Sequence, residues 1–158
     1  MPFTIKSSTI KPNQPIPIQH TGDGENYSPE ISWIGAPAGT KEFAFICDDP
    51  DAPGGKPFVH WVVYNIPPTT TGLRERMIDV KSVPGSTMKQ GVNDFGRIGY
   101  GGPHPPPGPA HRYYFKLYAL STPLNLEGGV PAHFLEREMR DKIIEEVKLM
   151  GTYQRGGL

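Results

Sequence analysis

Only one cysteine, Cys47, occurs in the 158-residue chain. An intramolecular disulfide needs two and a cysteine-based zinc cluster needs more, so neither can staple this fold. An excess of one charge is also missing, with Lys plus Arg and Asp plus Glu at 16 each. Nucleic-acid binders displace counterions with a clustered basic field. No Lys/Arg stripe flanks the aromatic runs here, and no nucleic-acid partner is expected. No run approaches the roughly 18–20 apolar residues that cross a bilayer, so no transmembrane segment is expected. The opening Met-Pro-Phe-Thr-Ile-Lys has neither the basic end nor the apolar stretch of a secretory signal. The expectation is a cytoplasmic protein, in which the sequon Asn26-Tyr27-Ser28 carries little weight.

Glycine and proline, by contrast, are abundant at 19 each. They cluster between apolar runs, which suits many short strands joined by turns. A chain of this length holds one hydrophobic core, and one domain over 1–158 is expected. Phe3 to Ile10, Ile31 to Ile34, Glu42 to Cys47, Phe58 to Ile66 and His111 to Leu120 read as strands. The last alternates most clearly, with Tyr113, Phe115, Leu117 and Ala119 on one face. Thr69 to Gly102 reads as loops, with short strands near Met77–Val83 and Thr87–Gln90. From Pro131 to Met150, apolar residues recur at helical spacing, and Gly151 suits the position past the end. The expected fold is mainly β, a sandwich or barrel with a C-terminal α-helix.

Two segments combine strand ends, prolines and titratable groups. Cys47-Asp48-Asp49-Pro50-Asp51-Ala52-Pro53 follows an apolar strand; Tyr100-Gly-Gly-Pro-His-Pro-Pro-Pro-Gly-Pro-Ala-His-Arg-Tyr113 precedes another. Prolines at this density stiffen both loops, and His60 lies on the strand between them. Standard motifs fail. Read as a calcium loop from Asp49, the segment has Pro53 at position five and His60 at position twelve. Gly54-Gly55-Lys56-Pro57 lacks the Ser/Thr and spacing of a P-loop, and there is no Gly-x-Ser-x-Gly elbow. Zinc held by His60, His111, His104 and Asp49 is a minor alternative without short metal-type spacing. No cofactor is expected.

The run Asp49-Pro-Asp-Ala-Pro53, the strand Phe58-Val-His-Trp-Val-Val-Tyr-Asn65 and Gly101-Gly-Pro-His-Pro-Pro-Pro-Gly…His111-Arg-Tyr113, in that order, resemble the phosphatidylethanolamine-binding protein family, also called the Raf kinase inhibitor protein family. Asp23-Gly24-x-Asn26-x-Ser28-Pro29 and Leu149-Met-Gly-Thr-Tyr-Gln-Arg155 are similar to its bacterial and archaeal branch. The resemblance spans essentially the whole chain. It implies an antiparallel Greek-key β-sandwich with a C-terminal α-helix and a small edge pocket for phosphate-like anions or phospholipid head groups. It implies pocket residues Asp49, His60, His111 and Tyr113, and a rim of Asp51, Pro53, Gly102, Pro105, Pro106 and Tyr100. Where the family's loop is expected to carry Gly or Cys, this chain has His104, a titratable donor beside the pocket. The implied function is non-enzymatic, with a kinase to modulate or a serine protease to inhibit as protein partner, and a homodimer as assembly.

In such a pocket Asp49 orients a histidine by accepting one ring N–H and favours its cationic form, leaving the other nitrogen to donate. His60, His111 and the Tyr113 hydroxyl would then hold an oxyanion, most tightly on the acidic side of neutral. Each residue also has a plainer reading. A lone buried histidine such as His60 is more often a satisfied core residue, and Asp51 fits good turn chemistry. Arg112 alternates away from Tyr113 and is assigned to surface pairing. His20 and His133 are expected at the surface, Trp33, Trp61 and Cys47 in the core. Two rival functions stand beside binding: a hydrolase or lyase using Asp49 and His111 as a base–acid pair, and an assembly module with a vestigial pocket.

Overall fold

The protein is described from a computed structural model covering residues 1–156; Gly157 and Leu158, the end of the expected domain, lie outside the described residues. Eight strands form, β1 (Thr4–Lys6), β2 (Ile31–Ile34), β3 (Glu42–Asp49), β4 (Phe58–Ile66), β5 (Gly72–Leu73), β6 (Lys89–Gln90), β7 (His111–Leu120) and β8 (Ile143–Tyr153), with one α-helix, α1 (Ala132–Met139). They make a three-stranded sheet, β1-β2-β5, and a five-stranded sheet, β6-β4-β3-β7-β8. All strand pairs are antiparallel. β3, β4 and β6 lie side by side and β7 returns to the free side of β3, the Greek-key order.

The apolar run of β3 is explained by burial on both faces. Phe43, Phe45 and Cys47 face the core between the sheets, with Phe3, Trp33, Trp61, Phe115 and Leu117. Ala44 and Ile46 face a second core under α1, with Val62, Tyr64, Leu120, Leu135 and Met139. The layers are therefore small sheet, large sheet and helix, with an apolar cluster at each boundary.

The helix is shorter than its sequence pattern suggests. Arg140 is extended, at φ −54° and ψ 133°, and Asp141 takes a left-handed φ of 69°; from Ile143 the chain is strand β8. Ile143, Ile144, Val147 and Met150 fit a helical period, but Val147, Leu149, Gly151 and Tyr153 fit a period of two. The second won, because β7 offers a ladder from Leu120↔Ile143 to His111↔Tyr153. Gly151 is no helix stop: it sits opposite Tyr113, where a Cβ would come within 2.7 Å of Ile16 Cγ1. The C-terminal element is an edge strand. Among the described residues no helix is long and apolar enough to cross a membrane.

β4 carries one irregularity that matters for chemistry. Cys47 pairs with Trp61, but Asp48 pairs with Val59, so His60 is an extra residue opposite that step. A bulge of this kind re-aims a side chain. Strict alternation from Trp61 and Val63 would put His60 under α1; the bulge turns it to the face of Asp49 and Tyr113.

Candidate functional site

Because β3 runs antiparallel to β4 and β7, the end of β3 and the starts of the other two meet at one end of the large sheet. There Asp49, Ala52, Pro53, Phe58, His60, Phe95, His104, Pro105, Pro106, His111 and Tyr113 line a cavity of about 210 Å³. Eight of these were candidates from sequence. Ala52, Phe58 and Phe95 were not. Phe58 had a signal in standing two residues before His60 on a strand. Phe95 had none beyond its turn, where the Asn93 side chain accepts from the Phe95 and Arg97 amides and donates to Gly99 O.

Each polar side chain on the floor is held from behind. The His111 ring nitrogen Nδ1 lies 2.6 Å from Asp49 Oδ2, and the Asp51 amide donates to Asp49 Oδ1 at 2.7 Å. The Asp49 and His111 side chains are 4% and 12% exposed. His60 Nδ1 lies 2.6 Å from the Gly101 carbonyl. A carbonyl only accepts, so this nitrogen carries the hydrogen. Among the described residues neither histidine's Nε2 has a hydrogen-bond partner, and both rings line the cavity. The His60 ring lies 5.1, 5.4 and 5.2 Å from those of Phe58, Phe95 and Tyr113.

Burial holds His60 below its ordinary value, with the Gly101 bond and nearby carboxylates opposing only in part, which works against the charged His60 expected on the acidic side of neutral. With Nδ1 bonded to the Gly101 carbonyl, the neutral ring carries its lone pair on Nε2. Burial, followed by the charge of Asp49, pushes the Tyr113 hydroxyl far up, so it stays protonated. A histidine held below its ordinary 6.5 binds its proton less readily folded than unfolded. It adds stability above that pH, and the contribution fades as pH falls through the depressed folded value. The urea midpoint is expected to drop between about pH 7 and pH 5, and less steeply in His60→Gln. An unchanged slope in the variant would remove His60 from the titration.

Three residues assigned to the rim do not line the cavity. Asp51 points away from the cavity to Arg112, accepting from its backbone amide at 2.8 Å, from Nε at 3.0 Å and from Nη2 at 2.8 Å. These bonds pull its carboxyl down to about 2, and they bear out the surface pairing expected for Arg112. Tyr100 is buried with its hydroxyl donating to His20 O at 2.6 Å. Gly102 is buried with its amide on Asn26 Oδ1 at 2.8 Å. Both latch the Pro-rich loop onto the 18–26 segment and do not line the cavity. His104 does line it, half exposed, with Nε2 3.5 Å from Asp23 Oδ1. Asp23 also accepts from Tyr153 and Arg155.

Outside the pocket, His20 is buried against the surface expectation, its Nδ1 donating to Tyr27 O at 2.9 Å and its Nε2 2.8 Å from Thr9 Oγ1. His133 is exposed. Cys47 lies in the core, where burial pushes its thiol well up. Among the described residues no group of three His, Cys, Asp or Glu side chains is placed to hold a metal ion.

A phosphatidylethanolamine-binding protein family model matches residues 6–154. The chain belongs to that family. It is 47% identical over 154 residues to a UPF0098 protein of Methanothermobacter thermautotrophicus, covering 98% of this chain and all of that one. To a UPF0098 protein of Aquifex aeolicus it is 48% identical, over 96% of this chain and 88% of the other. The crystal structure of Escherichia coli YbcL, titled a new member of the mammalian PEBP family, superposes with TM-score 0.89 at 34% identity, over 96% of this chain and 98% of that one. A family homologue from Chlamydia trachomatis gives 0.85, also at 34%, over 97% of both chains. The family membership and the mainly β, two-sheet fold agree with what the motifs implied.

Proposed function

We propose that this protein is a non-enzymatic binding module whose pocket captures a small oxyanion, such as the phosphate group of a metabolite, a head group or a modified partner protein. One observation carries the reading. Two histidines, each fixed by a bond at Nδ1 that leaves Nε2 without a partner among the described residues, line the same small cavity as Asp49 and Tyr113. The walls of proline and phenylalanine add apolar surface and keep the floor preorganised. Family membership supports a binding role in general; regulation of a kinase or serine protease is a finer form of the same proposal.

The Asp49–His111 pair keeps a second reading alive, that of a hydrolase or lyase with His111 as general base. One calorimetric and kinetic series separates them. Phosphate and phosphoethanolamine are expected to bind, and His111→Ala to weaken phosphate by about 10-fold or more. Phosphomonoesters and carboxylic esters are expected to survive prolonged incubation unchanged. Turnover abolished by His111→Ala would replace binding with catalysis.

A further inference from the structure

The hydrogen-bond polarity of the cavity narrows the anion it can take, given the binding role proposed above. Gly101 O fixes the proton of His60 on Nδ1 at 2.6 Å, so the neutral ring shows the cavity a lone pair. A second proton would put a cation among Phe58, Phe95 and Tyr113 at 3% exposure, which burial opposes. His111 differs, because its partner is a carboxylate, Asp49, at 2.6 Å. Of the two rings, only His111 has a counter-charge in direct contact. The floor is thus uneven: a lone-pair acceptor at His60 Nε2 beside the His111 ring, which Asp49 holds at Nδ1, and the Tyr113 hydroxyl, which lies against the Asp49 carboxylate. No Lys or Arg lines the cavity to offset this acceptor.

An oxyanion with no hydrogen would press an oxygen lone pair against the lone pair of His60. We infer that the pocket selects oxyanions that still carry a hydrogen, inorganic phosphate and singly ionised phosphomonoesters, with the P–O–H donating to His60 Nε2. Sulfate, of similar size and shape, carries none near neutrality. A phosphodiester, the form in an intact glycerophospholipid, carries none either. A monoester retains its hydrogen up to about pH 6, where its second ionisation falls. The charged and titratable groups around His60 are Asp48 and Asp49 from β3, Asp94 from the loop after β6, His104 from the Pro-rich loop, and His111 and Tyr113 from β7. The Asp94 carboxylate accepts from the Val59 amide, and Asp49 stands opposite Phe58 in the ladder.

Calorimetric titration of the whole protein at about pH 6, just below the ordinary histidine value, tests this. Inorganic phosphate is expected to bind roughly 10-fold or more tighter than sulfate, and methyl phosphate tighter than dimethyl phosphate by a similar ratio, since an acceptor left facing an acceptor forfeits a hydrogen bond. His60→Gln places an amide that can donate or accept near the Nε2 position. It is expected to shrink both ratios to about 3-fold or less while phosphate still binds. Equal affinity for phosphate and sulfate in the unaltered protein would overturn this selectivity and leave an anion pocket standing. Dimethyl phosphate binding as tightly as methyl phosphate would overturn it in favour of the lipid form. Failure of all four probes to bind would sink the anion reading itself.

Discussion

Asp49→Asn is expected to lower phosphate affinity by roughly 10–100-fold, because the carboxylate positions His111 from behind. Asp49 accepts twice, from His111 Nδ1 and from the Asp51 amide, one bond on each oxygen. An asparagine has one acceptor oxygen and one NH2, so whichever way the amide lies, a donor meets a donor. If the NH2 faces the ring, His111 must move its hydrogen to Nε2 or rotate. If it faces the backbone, the loop from Pro50 to Pro53 loses its anchor. Stability is expected to fall as well, by about 3 kcal/mol, the scale for breaking a buried charged pair. Urea unfolding measures the second effect and calorimetry with phosphate the first. Unchanged phosphate affinity in a folded Asp49→Asn protein would show that His111 is oriented without it.

Gly102→Ala is expected to disrupt the Pro-rich loop beside the pocket. Its Cβ would stand 2.1 Å from the His20 carbonyl oxygen and 2.5 Å from Asn26 Oδ1. The first is backbone and cannot swing aside. The second is the acceptor for the Gly102 amide itself. The Pro-rich loop must therefore back away from the 18–26 segment, and Tyr100, bonded to the same His20 oxygen, is pulled with it. A cost of about 3 kcal/mol is expected, at the upper end for overpacking, together with weaker phosphate binding as His104, Pro105 and Pro106 move. A urea midpoint within error of the parent would mean that the loop accommodates the methyl.

Comparing the two levels of description shows where sequence patterns stop short. β3 and β4 were legible because central strands buried on both faces need long β-prone runs, and β7 because its faces alternate. Asp49 and His111 drew notice at strand ends beside prolines, whereas Tyr113 was placed in the pocket by resemblance. β8 was not, because Glu145 and Glu146 interrupt its alternation and Ile143, Ile144 and Val147 also fit a helix. The pairing with β7 decides between the two patterns, and that is a long-range fact. The role of His60 was assigned from motif resemblance, but the way it reaches the pocket was hidden. A bulge depends on the register between two strands, and no single run of residues encodes it. Its acceptor character was hidden likewise, because it follows from one carbonyl, Gly101, and three aromatic rings drawn from elsewhere. Asp51, placed on the rim by resemblance and equally suited to turn chemistry, turns its side chain to Arg112.

The latches around the cavity also set when it can exist. His60–Gly101, Asp49–His111, Asn26–Gly102 and His20–Tyr100 join residues 41, 62, 76 and 80 apart in the chain. Closing loops of that length precedes any reward from the contacts, so non-local β pairing is slow to nucleate. During synthesis the segment from Met1 to Gly101 emerges first, and it contains neither His111 nor Tyr113. The pocket is completed only after β7 has emerged and docked beside β3. A ligand that recognises this pocket reports on the finished sheet and on no shorter fragment. It raises apparent stability by mass action on the native state alone, slowing loss of the fold without guiding its formation.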